Sequence, residues 1–205
     1  MKNALYLTTA LGACVATSMF APIESVRAED CLLDRDNDGV VDAGSDNDGG
    51  ANSSDVDTRL ACGVGASALG GGSTAIGASS NSSGNDSVAV GRFAESSGAG
   101  SMALGQSAQA IGTNAIALGN ADADGDNSIA AGSSAEARGN QSLALGQTAV
   151  ADGELTIALG RQAFAGGLES VAIGADAITE NEAAIAIGGD TYGDADGYGA
   201  RANGQ

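Results

Sequence analysis

Small and large apolar residues alternate along most of this chain in short runs, and the runs return on a regular beat. Residues 141–160 read QSLALGQTAVADGELTIALG, in which small–large–Ala–large–Gly is written twice, fourteen positions apart. A Gly closes such a run at 63, 77, 91, 105, 119, 132, 146, 160, 174 and 188, and the only interval that departs from fourteen is the thirteen between Gly119 and Gly132. A second Gly follows seven residues later at 70, 84, 98, 112, 139, 153 and 167, with Gly125 one place early and Asn181 standing in for the last. Period-two alternation is a strand signal, and runs of about five residues are too short for helices that stand alone. Each unit therefore predicts two short strands joined by bends that Gly permits, which is one coil of a β-solenoid. Stacked coils pair their strands in parallel around a continuous core. At about 4.8 Å per coil, ten coils make a rod roughly 45–50 Å long.

The pleat decides which side chains face in. The middle residue of the first strand is Ala at 61, 75, 89, 103, 117, 130, 144, 158, 172 and 186. A position filled only by Ala is sterically limited, so this column is expected to plug the lumen. The second strand agrees, with pairs such as Ala135/Ala137 and Ala177/Thr179. The flanking residues then point outward. They include Val88, Val90, Met102, Leu104, Ile116, Leu118, Leu143, Leu145, Ile157, Leu159, Val171, Ile173, Ile185 and Ile187, and seventeen of the twenty such positions are large aliphatics. The opposite packing would make one wall of a fourteen-residue coil enclose two aliphatics. An outward ribbon of this kind covers roughly 400–500 Å², close to the largest apolar patch a monomer exposes, so these residues are expected to form an oligomer interface. The outward positions of the second strand (Glu95, Gln109, Glu136, Val150, Phe164 and Ile178) are mixed and offer a surface for a ligand.

Composition narrows the function. The chain has 205 residues, 33 Gly, three Phe, no Trp and no His. Without His the commonest general base is missing, and no other constellation replaces it, so an enzyme is not expected. The net charge of −18 disfavours nucleic acid and anionic membranes as partners.

The strings SVAVG, SMALG, SLALG and SVAIG, each followed by x-x-A-x-A-x-G, resemble the head repeats of YadA-like trimeric autotransporter adhesins over about residues 59–188. The resemblance implies a left-handed parallel β-roll and three rolls packed into a homotrimer through the aliphatic faces. It also implies display on a Gram-negative outer membrane and adhesion to matrix, host cells or other bacteria through a protein or glycan receptor. Such adhesins usually continue into a neck, a stalk and a membrane anchor. Residues 189–205 instead read as a degenerate repeat or tail, with GYGARANG at 197–204 resembling half a repeat out of register.

The N-terminal part reads differently. Residues 1–28 have the Lys2 start, apolar stretch and small-residue exit of a signal peptide, although Leu11-Gly12-Ala13-Cys14 also fits a lipidation site. No later segment is long and apolar enough to span a membrane as a helix. Cleavage after Ala28 leaves Cys31 and Cys62, an even pair that suggests a disulfide in an exported chain. Residues 29–58 are acidic, and within them Asp34, Asp36, Asp38 and Gly39 follow the spacing of a calcium loop. Val40 would add a carbonyl and Asp42 a carboxylate or bound water, and Asp46, in Asp46-Asn47-Asp48-Gly49, either completes this site or begins a second loop. The twelfth-position Glu is missing, so the loop resembles a thrombospondin type 3 site more than a full EF-hand. Calcium is thus the expected cofactor of a small cap on the roll, the other reading being an acidic linker. Asp122, Asp124 and Asp126 form a weaker cation candidate at the short unit. The rival to an adhesin head is a filament or surface-layer component that stacks end to end. An ice-binding role would use the Ser/Thr column at 73, 87, 101, 128, 142, 156 and 170.

Overall fold

The computed structural model describes residues 49–54, 58–189 and 199–202. Among these there is no helix: the chain winds into a parallel β-solenoid of about nine coils. Each coil contributes a three-residue strand to a first ten-stranded sheet and a two-residue strand to a second. Neighbouring strands pair with a shift of fourteen residues, as in Val88 with Met102. At the short coil the shift is thirteen in both sheets, Ile116 with Ile129 and Gln109 with Asp122. Hydrogen bonds such as Val88 N to Ser101 O (2.9 Å) and Gly105 N to Val90 O (2.8 Å) run from coil to coil along the whole rod.

The lumen is a tube of methyl and hydroxyl groups. Nine of the ten central alanines of the first sheet are fully buried, and Ala186 on its last strand is 3% exposed. The second sheet turns Ala66/Ala68, Ala108/Ala110, Ala149/Ala151 and their equivalents inward, equally buried. The Ser/Thr column is a third inward row, and its buried place makes it no surface array. Its hydroxyls are satisfied where a second hydroxyl faces them: Ser82 and Ser87 Oγ lie 2.6 Å apart, and Ser96 and Ser101 Oγ 2.5 Å. Where Ala faces the serine, as Ala137 and Ala123 do in the same register, Ser142 and Ser128 Oγ are buried without a partner. The chain itself puts Ala in this row at 115 and 184.

The two glycine columns share close stacking against the next coil and differ in φ. Gly105 and its equivalents adopt left-handed φ, +141° at Gly105, as a bend requires. The second column was expected to bend the chain too. It does: Gly98, for example, sits at a bend, but its φ lies outside the left-handed region, and a Cβ there would sit 2.0 Å from the Gly112 carbonyl oxygen of the next coil. Close stacking, not a left-handed φ, excludes a side chain there. The left-handed turns are instead completed by ordinary residues such as Ser107, Asn114, Thr148 and Leu155. In the short coil the turn after Gly119 loses its left-handed residue, and Gly119 relaxes to φ +92°. A Cβ at Gly119 would be 3.4 Å from its nearest neighbour, against 2.0 Å at Gly105.

Both ends carry half a coil on the second sheet. Asn52 bridges Ser67 in parallel, with Ala51 and Ser53 buried beneath it. This rung comes from the segment that the sequence reading gave to the cap. At the other end Arg201–Ala202 pairs with Ile178–Thr179. The shift of 23 there is one repeat plus nine residues, so Arg201–Ala202 joins the second sheet out of the fourteen-residue register. The proposed signal peptide, the loop residues Asp34 to Asp46, and Cys31 lie outside the described residues.

Two stability outcomes follow, both measurable by thermal or denaturant unfolding. Gly105→Ala should cost about 3 kcal/mol through backbone overlap, and Gly119→Ala, in the same column, only about 1 kcal/mol of backbone strain. Ser142→Ala removes an orphan hydroxyl and should be neutral or stabilising, while Ser87→Ala strands Ser82 and should cost about 1 kcal/mol.

Candidate functional site

With the lumen filled by small residues, the chemistry of the molecule is on its two outer faces. On the first sheet the flanking residues stand in two columns in register. Every residue named above for the oligomer interface is half-buried or exposed here, and none is in the core. Leu118 and Leu159 are 37% and 41% exposed, and Ile185 and Ile187 on the last strand 63% and 69%. A side chain of this size burying its remaining surface gains about 1 kcal/mol or more, so the seventeen large aliphatics are a substantial unmet opportunity for a partner.

The outward column of the second sheet runs Ser67, Asn81, Glu95, Gln109, Asp122, Glu136, Val150, Phe164, Ile178 and Arg201. It is polar through Glu136 and apolar for the next three rungs. The Phe164 ring lies over Gly166, where a Cβ would meet its ring carbons at 2.6 Å. On either side of it are ion pairs: Arg138 donates to Asp152 at 3.2 Å and also to Glu136, and Arg201 lies 3.5 Å from Glu180.

The acids at the short coil do not converge. Asp126 Oδ1 accepts a bond from the Thr113 amide at 2.7 Å, which commits it to the turn. Among the described residues, no group of three carboxylate or thiol side chains is placed to hold a metal ion. The Asp122 carboxyl is nonetheless pushed up from its ordinary value by partial burial, then by the fields of Asp124 and Glu136, against the lowering effect of Arg138. Sequence reasoning missed this coupling because it treated Asp122 as part of a bend rather than as the rung beneath Glu136.

The described residues thus form a stack of parallel coils with two outward hydrocarbon columns on one sheet and a mixed column on the other. The family comparison agrees. A two-repeat profile of the YadA head domain repeat matches residues 68–94, 96–121, 123–149, 137–163, 151–177 and 165–191, and the chain belongs to that family. No curated protein matches the chain. Membership implies a surface-exposed, adhesin-like domain of the trimeric autotransporter type, a class that is typically non-enzymatic. Among the described residues no helix is long and apolar enough to cross a membrane.

Asp122→Asn should raise the thermal midpoint at neutral pH. An acid whose folded pKa is raised opposes folding when charged, and this penalty fades as pH falls through the folded value. Melting curves of the two proteins should therefore converge under acidic conditions.

Proposed function

We propose that this chain is the head of a homotrimeric surface adhesin. Three rolls pack through their first-sheet columns, which leaves the second sheets facing outward toward a protein or glycan on matrix, host cells or other bacteria. The observation that carries the reading is the unbroken aliphatic ribbon left uncovered on a single chain. Its cause is steric: methyl groups fill the lumen, so the larger hydrocarbon has only the outside. Binding would be multivalent, with weak contacts repeated on each roll and along its length.

The N-terminal segment completes the proposal. Export by the 1–28 signal places the chain where Cys31 and Cys62 can pair, and Cys62 lies on the first strand of the first sheet. A calcium ion held by Asp34, Asp36, Asp38, Asp42, Asp46 and the Val40 carbonyl would relieve the mutual repulsion of the acids. So anchored, the segment would cover the open end of the roll.

Light-scattering mass of the exported chain, with calcium and with chelator, tests assembly and cation together. A particle of three subunit masses is expected, and chelation should lower the melting temperature of the calcium-loaded form. Leu145→Asp with Leu159→Asp should yield single subunits. A wild-type chain that remains solitary at high concentration overturns the trimer, and open-ended growth favours the filament.

A further inference from the structure

We propose that the apolar stretch Val150–Phe164–Ile178 on the second sheet is a self-complementary contact, and that its occupant is the same stretch of a second roll lying antiparallel. The five rungs Glu136, Val150, Phe164, Ile178 and Arg201 are consecutive in the sheet. They read acid, apolar, aromatic, apolar, base. A two-fold axis along the strand direction through Phe164 inverts the order of rungs and keeps each column over itself. It sets Phe164 on Phe164, Val150 on Ile178, and Glu136 on Arg201, the last twice. Isologous contacts of this form are the common way in which identical chains pair. With rungs about 4.8 Å apart, each charge lies about 10 Å from the central ring, so the pairs flank the apolar centre rather than interrupt it.

The neighbouring column tests the idea and survives it. The same rotation brings Asp152 against Glu180 of the other roll, two like charges. Each arrives already neutralised within its own chain, Asp152 by Arg138 at 3.2 Å and Glu180 by Arg201 at 3.5 Å. Between these two carboxylates stands Gly166, the one rung of that stretch without a side chain, and the Phe164 ring occupies its place. The centre is thus flat enough for ring-to-ring stacking. Three apolar rungs bury far less than the roughly 1,600 Å² of a stable complex, so one contact is weak and repetition on assembled or densely displayed heads sets its strength. The overall charge of −18 opposes it at low ionic strength, so association grows as salt screens the repulsion. A cationic ligand on this face would show the reverse.

The test uses the full exported chain, with sedimentation over a wide concentration range and clustering of beads that carry the protein at high density. The wild-type basic particle, whatever its subunit number, should associate in pairs and cluster the beads. Phe164→Asp should abolish both without changing the basic particle or its melting temperature. Glu136→Arg beads should fail to cluster alone, as should Arg201→Glu beads. A mixture of the two should cluster again, because each roll then offers the other its missing partner. Each single reversal should weaken pairing by at least about tenfold, since it acts twice across the axis. Unimpaired clustering by Phe164→Asp, no recovery in the mixture, or wild-type beads that never cluster would each overturn the proposal. Because the mass of the basic particle is read separately, failure here is distinguishable from failure of the trimer.

Discussion

Successive coils are joined by backbone hydrogen bonds of about 2.8–3.0 Å, and the short distance between coils that this imposes governs everything else. With coils this close, a Cβ at Gly70, Gly84, Gly98 or Gly112 would fall within 2.1 Å of the next coil's carbonyl oxygen. The same tightness acts across the tube. Opposing strands three and two residues long leave a lumen that methyl groups and hydroxyls fill, and the buried residues are accordingly alanine, serine and threonine.

This inverts the usual arrangement of a globular protein. A buried methyl gains about 0.8 kcal/mol, so no single lumen residue dominates, and cohesion comes from many equivalent rungs. The larger aliphatics have no room in the core and accumulate on the first sheet, where they stay half-buried or exposed. Polar and apolar rungs on the second sheet are under no such steric rule. That face is free to vary, and here it changes from Glu136 to Val150 in a single step.

Much of this is legible in the letters because a repeat compares a chain with itself. Ten alanines at one position reveal a steric limit without any other sequence, and the inward turn of Ala144 beside the outward Leu143 and Leu145 follows from the pleat. The half repeat near Arg201 is legible for the same reason. The half-coil at 49–54 is not, because Gly50-Ala51-Asn52-Ser53 lacks the closing glycine and lies in an acidic setting. The second glycine column lies at bends as read, but a string of letters does not separate a glycine that needs a left-handed φ from one that the next coil approaches closely. The left-handed residues carry no mark at all: Leu155 and Glu169 occupy the same turn as Asn114.

The amino-acid sequence by itself determined the period, the strand type, the inward alanines and the outward hydrocarbon, since each is a local alternation multiplied by copies. Only the tertiary structure decided which rungs become neighbours. It put Asp122 under Glu136, laid the Phe164 ring over Gly166, tied Arg201 to Glu180 across an irregular return of the chain, and faced Ser82 with Ser87 while leaving Ser142 alone. These are contacts between coils and across the tube, and their partners are fixed by stacking distance and register rather than by adjacency along the chain.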